Sequence, residues 1–186
     1  MKNINNQNGL NSIWTKSLAR NLHPNGSALV DHLKTIHQEN TGFTEACASS
    51  CRDEAGRNSY EWLSEVVPDN ASLSVLDLAC GSGPLLKILF DRNKNLNLKG
   101  IDMCPEELAL AKTRLINSGV NLIESKAQNL TAINDNSIDI VLCHWALTLM
   151  DPIAPVLDEV RRVLTSGGQF AALVDGPMNA APGYTE

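Results

Sequence analysis

Aromatic side chains are scarce, at 4% of 186 residues, so a buried core has to be built mainly from Leu, Ile, Val and Ala. Long apolar runs are missing too. The amino terminus, MKNINNQNGLNSIW, has no apolar signal core, and no later stretch approaches the roughly 18 apolar residues of a membrane span. No membrane partner is expected, and the expected location is the cytoplasm. A concentrated basic patch is also lacking. Fifteen basic against twenty-one acidic side chains give a formal charge of -6, which repels a polyphosphate backbone, and the Arg161-Arg162 pair falls in an amphipathic pattern that a solvated helix face explains. Nucleic acid is therefore not an expected partner. The five cysteines, at 47, 51, 80, 104 and 143, are odd in number and irregular in spacing, which excludes a disulfide framework and leaves the expectation of buried or half-buried free thiols. Cys47 and Cys51 could meet on one helical turn, but two ligands without a matching His or Cys pair make no zinc site, and no metal is expected.

What is present suits one domain with one core. The first stretch, to about residue 25, is polar and reads as an arm or short helix, with HPNG at 23–26 as a turn. Leu29, Val30, Leu33 and Ile36 recur at helical spacing and predict a helix from Ser27 to about Gln38. The stretch from Glu39 to Pro68 mixes breakers with a second helical run, Tyr60, Trp62, Leu63, Val66 and Val67, stopped by Pro68. Residues 1–70 thus read as an N-terminal arm with helices, a lid or cap.

Beyond Pro68, short apolar runs alternate with helical patterns, the signature of βαβ units around a parallel sheet. Strands are predicted at 74–79, 98–102, 121–126, 138–145 and 169–175. Helices are predicted from Pro84, from Pro105 and from Pro152 to Leu164, proline being favoured at the first helical position. The last of these is expected to end at Gly167-Gly168. Right-handed crossovers would set all strand carboxyl ends on one edge, where ligands bind in open α/β sheets.

The informative unit runs from Val75 to Pro84: a buried strand, a glycine turn, then a helix. Glycines there let backbone approach a ligand closely. Asp102, at the end of the next strand and about twenty residues on, is where a carboxylate can accept both hydroxyls of a ribose.

VLDLACGSG followed by GID resembles motifs I and II of the class I, Rossmann-like S-adenosylmethionine-dependent methyltransferases, in particular their type 11/25-like domains. SKAQNLTAINDNSIDIVLCHWALTLM is similar to the family stretch GDAxxLPFxDxSFDxVxxxxxLxxL, and RRVLTSGGQFAALVD to the RVLKPGGxL entry to the fifth strand, so the likeness covers roughly residues 60–175. A nicotinamide-binding turn would keep a third glycine where Leu86 stands. Asp77 also sits poorly beside a pyrophosphate and well beside the ammonium of a methionine moiety.

The resemblance implies an α/β three-layer sandwich, with a mostly parallel sheet of about five strands in the order 3-2-1-4-5, a core at 71–175 and an N-terminal helical extension. It implies S-adenosyl-L-methionine as cofactor, with Asp77, Ala79, Gly81 and Gly83 around the methionine part and Asp102 at the ribose. Met103 would lie on the adenine face, Ala127 and Gln128 at its edge, and Cys143 on the methyl-donor side. Two departures stand out. Lys126 occupies the place of an acidic residue that would accept from the adenine amino group, which leaves that task to the Ala127 amide and Gln128. After the fifth strand only GPMNAAPGYTE, 176–186, remains where the family commonly has two further strands. The expectation is a truncated tail and an exposed fifth strand, open to a second copy or a completing partner.

His144 and Trp145 follow the fourth strand, where a methyl acceptor would approach. His144 is the candidate for taking a proton from it, although a lone histidine serves equally as a packing residue. Arg57 and Tyr60 are candidates to close over the cofactor, the plainer alternative being a salt-bridged Arg and a half-buried Tyr. Cys80 and Cys104 read as packing residues, and His23, His32 and His37 have no assigned partner. Methyl transfer needs mainly alignment, worth roughly 7 to 11 kcal/mol. CHWALTLM does not resemble the Asn- or Asp-Pro-Pro-aromatic motif of nucleic-acid adenine methylases, so a small-molecule acceptor is expected. The rival is a catalytically silent cofactor-binding module or partner subunit, and a nicotinamide oxidoreductase stands third.

Overall fold

A computed structural model describes residues 12–22, 26–69 and 72–174. The turn proposed at 23–26 falls mostly outside them, as do His23 and the tail at 176–186. Four helices come first: α1 (Ile13–Leu18), α2 (Gly26–Glu39), α3 (Phe43–Ser50) and α4 (Ser59–Ser64). They are followed by β1 (Ser74–Leu78), α5 (Pro84–Arg92), β2 (Asn97–Asp102), α6 (Pro105–Arg114), β3 (Asn121–Glu124), β4 (Ile138–His144), α7 (Ala154–Val163) and β5 (Leu164–Leu173).

The five strands form one sheet in the order β3-β2-β1-β4-β5, every neighbouring pair parallel. The central strands are buried on both faces, which is why β1 and β4 read as nearly unbroken apolar runs. Leu63 of α4, Leu85, Leu86 and Leu89 of α5 and Leu108 of α6 cover one face. Val156, Val160 and Val163 of α7, with Leu130 and Ile133, cover the other. This is a three-layer, Rossmann-like α/β sandwich, and its crossovers set the carboxyl ends of β1, β2 and β4 side by side.

Local signals explain most boundaries. Pro84 and Pro105 occupy the first turns of α5 and α6, and Asn58 with Glu61 closes a capping box at α4. The chain departs from expectation in four places. Gly167-Gly168 does not end α7: the helix stops at Val163, Leu164 already pairs with Ile138, and the register breaks before Ile140 meets Gln169. Gly167, at φ +83, lies in that irregularity inside β5, which explains the glycines without a helix end. The stretch read as breakers holds α3. Cys47 and Cys51, on and after that surface helix, are exposed rather than buried, whereas Cys80, Cys104 and Cys143 are buried. Arg161 is exposed as expected, but the half-exposed Arg162 also donates to the carbonyls of Leu130 and Ile133 and pairs with Glu159 and Asp135, tying the loop before β4 to α7. Among the described residues no helix is long and apolar enough to cross a membrane.

Candidate functional site

Where β1, β2 and β4 end, the backbone turns away and leaves a cleft of about 1090 Å³, counted out to its open mouth. The glycine turn and the ends of β2 and β3 form one side. His144, Trp145, Leu149 and Met150 form the other, and α2, α3 and α4 lean over the top with Val30, Leu33, His37, Glu45 and Tyr60.

The turn begins at Ala79, whose φ of +61 is rare for a residue with a side chain and marks a sharply bent exit from β1. Asp102 holds the turn. Its Oδ2 accepts from the Gly81 N–H at 2.8 Å and its Oδ1 from the Cys104 N–H at 2.8 Å. A carboxylate has about four acceptor positions, so the group keeps capacity for further donors. Burial pushes the Asp102 carboxyl up, against the two amides that favour its charge.

Asp77 is 2% exposed, and no donor among the described residues reaches its carboxylate. Burial first, and the charge of Asp102 second, push it up to about 8. Glu107 in the first turn of α6 is likewise 2% exposed. Its Oε1 accepts from the Gly42 N–H at 2.9 Å and lies 3.0 Å from His37 Nδ1, while its Oε2 is buried without a partner. The hydrogen bond to Glu107 raises His37, with burial opposing it. Glu45 of α3 accepts from Ser82 at 2.9 Å and pairs with Arg114 at 2.6 Å, fastening α3 to the turn and to α6.

The opposite wall is less charged. His144 Nε2 lies 2.8 Å from Ser59 Oγ, and the ring stacks on Tyr60 with centroids 3.8 Å apart. Its Nδ1 is buried without a partner, and burial lowers the ring to about 4, so it is neutral at physiological pH. Trp145, at φ +52, bends the chain away from β4.

A family model described as a methyltransferase domain matches residues 76–172. The chain belongs to that family. The chain is 30% identical over 137 residues to malonyl-[acyl-carrier protein] O-methyltransferase of Pectobacterium atrosepticum, a match covering 71% of this chain and 52% of the relative. It is 31% identical over 107 residues to the ubiquinone/menaquinone biosynthesis C-methyltransferase of Zymomonas mobilis, covering 56% and 43%. The chain therefore spans about half the length of these curated relatives. An S-adenosylmethionine-dependent methyltransferase from Mesorhizobium loti shares the fold, with a TM-score of 0.57 at 24% identity over 67% of this chain and 57% of that one.

The fold brings most of the residues singled out in the sequence to the cleft: Asp77, Ala79, Gly81, Asp102, Met103, Ala127, Gln128 and His144 all line it, as does Tyr60. Two do not. Gly83, at φ +76, faces α6, where an added Cβ would stand 3.2 Å from both Ala111 Cβ and Leu115 Cδ1. Its glycine serves packing. Cys143 is fully buried among Leu76, Leu78 and Val141 because strand alternation sends it to the face opposite His144, and burial pushes its thiol up to about 12. Arg57 also stays away, bound at 2.7 Å to both Asp53 and Glu65. Glu45 and Glu107 are not among the residues singled out in the sequence, and His37, without an assigned partner there, pairs with Glu107. For Glu107 a signal existed: with Leu108 and Ala111 it falls on the buried face of α6, where a solvated glutamate does not belong.

The family implies S-adenosylmethionine as cofactor. The residues fit it. Three buried or nearly buried carboxylates with unused acceptor capacity meet at one end of the cleft, an arrangement costly to hold without a cation or hydroxyl donors. Among the described residues no group could hold a metal ion.

Proposed function

We propose that this chain binds S-adenosylmethionine and transfers its methyl group to a small, largely apolar acceptor. The observation carrying the reading is Asp102, presented from the end of β2 and bonded to the Gly81 N–H, with spare acceptor positions toward the cleft. The bound cofactor would supply a sulfonium-activated methyl group. Asp102 accepts the ribose hydroxyls, Gly81 lets the aminoacyl tail approach the backbone, and the Asp77 carboxylate balances positive charge. Met103 packs on the adenine, whose edge meets the Ala127 amide and the Gln128 side chain. Lys126 also lines this end and leaves the accepting role to them.

The acceptor enters past Val30, Leu33, Leu149 and Met150, an apolar wall without an anion-binding cluster, which supports a small molecule over a polyphosphate chain. Tyr60 and Trp145 exclude water. His144, neutral but weakly basic, orients the acceptor through its unpartnered Nδ1 and supplies a proton sink where one is needed. The free side of β5, which pairs among the described strands only with β4, is proposed as the seat of an added strand or a second copy.

A second reading, cofactor binding without transfer, draws support from the stacking of His144 beneath Tyr60, which leaves the acceptor wall without a strong base. Calorimetric titration with S-adenosylmethionine and with NAD, followed by a methyl-release assay over a panel of small quinols, phenols and carboxylic acids, separates the possibilities. Sulfonium binding with turnover supports transfer. Binding without turnover supports the second reading, and dinucleotide binding alone contradicts both.

A further inference from the structure

We propose that Glu107 contacts the ligand directly, its Oε2 receiving the ammonium group of the cofactor's aminoacyl tail while its Oε1 locks α2 and α3 over the same end of the cleft. The inference rests on the cofactor reading above and adds to it a residue outside the glycine turn and outside the strand ends.

A glutamate in the first turn of a helix is ordinarily a solvated partner for the helix dipole. Glu107 is instead 2% exposed and shares the buried side of α6 with Leu108 and Ala111. Its two oxygens differ. Oε1 is satisfied by the Gly42 N–H at 2.9 Å and by His37 Nδ1 at 3.0 Å, both from the lid. Oε2 has no partner, and it is the atom nearest to where a Cβ on Gly81 would stand, at 4.0 Å. The orphaned oxygen therefore overlooks the position in the turn where backbone lies bare to the cleft.

An unsatisfied buried carboxylate oxygen calls for a donor, and the nearby cations are spoken for. Arg114 is paired with Glu45, and His37 serves Oε1. The ribose diol is matched to Asp102, and the adenine lies toward Ser125 to Gln128, past the end of β3. What remains at the Gly81 end is the amino-acid tail. Its ammonium carries three N–H donors, enough to engage Glu107 and Asp77 together.

The test is calorimetric titration of the full chain with two neutral-sulfur nucleosides, S-adenosylhomocysteine, which carries the tail, and 5′-methylthioadenosine, which lacks it. Glu107→Gln is expected to weaken S-adenosylhomocysteine about tenfold or more, the scale of one charge-assisted hydrogen bond, and 5′-methylthioadenosine less than about twofold. His37→Gln, which disturbs only the lid bond, is expected to leave the ratio of the two affinities unchanged. If Glu107→Gln does not fold, Glu107→Asp, which keeps the charge and withdraws the oxygen by one methylene, is expected to lower the same ratio. A wild-type ratio in the folded Glu107 variant overturns the inference while leaving the cofactor reading intact. Failure of the wild-type chain to bind either nucleoside overturns both.

Discussion

The two walls of the cleft are built differently. The wall made by β1, β2 and β3 is tied within itself by Asp102, which accepts from Cys104 two residues on and from Gly81 21 residues back, and by the Gly83 N–H donating to the Cys80 carbonyl at 2.9 Å. The wall made by β4 and the N-terminal helices is held across longer sequence separations, with His144 meeting Ser59, 85 residues away, and Tyr60. The first is charged and the second largely apolar. The contrast fits the chemistry, because a sulfonium nucleoside is the same for every member of the family and the acceptor is not. A wall with one ligand can be written into a motif, while a wall whose ligand changes is assembled from whatever helices pass overhead.

The sharpest way to break this comparison is Asp102→Ala. It removes the proposed ribose acceptor and orphans two turn amides, so cofactor affinity is expected to fall by two to four orders of magnitude, at roughly 1.5 to 3 kcal/mol per charged hydrogen bond lost. An equal fall in the selectivity among acceptors would show that the walls are not separate, and competition kinetics with two acceptors measures it.

Next comes pH. The Asp77 carboxyl, pushed up to about 8, must lose its proton to meet a cation, so affinity for the sulfonium is expected to rise by up to about tenfold per unit between pH 6 and 8, then level. In the ligand-free protein the sign is opposite to that of a paired carboxylate. The folded state binds more protons than the unfolded one between the reference 3.8 and about 8, so stability declines as pH climbs through that window. Asp77→Asn is expected to remove both slopes, as read by calorimetry and by urea melts across the range.

On the other wall, His144→Gln is expected to leave cofactor affinity within about twofold and to lower kcat about tenfold, short of the roughly hundredfold or more of a full general base. The smallest effect separates the two glycines of the turn. Gly83→Ala meets a left-handed φ and two side chains of α6, so it is expected to cost roughly 1 to 2 kcal/mol of stability with little change in ligand affinity. Gly81→Ala, at φ +51 but with its nearest neighbour 4.0 Å away, is expected to carry the backbone cost without the packing clash and to weaken the ligand as well.

The same division governs what was legible in the sequence. The strand-turn-helix unit follows from local spacing and the strand order from the family resemblance, and the sheet has both; Asp102 lies at the end of β2 and lines the cleft. Glu107 was missed because its partners His37 and Gly42 lie 70 and 65 residues away, and only folding brings them together. Cys143, expected on the methyl-donor side, is buried on the sheet face opposite His144, as alternation along β4 dictates. Gly167-Gly168 was read as a helix end because a bulge in a strand and a helix terminus both favour a left-handed glycine.

A crystal structure of the chain with S-adenosylhomocysteine tests the central claim most directly. Both ribose hydroxyls within about 3 Å of the Asp102 carboxylate, with the tail passing over Gly81, is the predicted result. A nucleoside seated elsewhere, or one whose sugar turns away from Asp102, would contradict it.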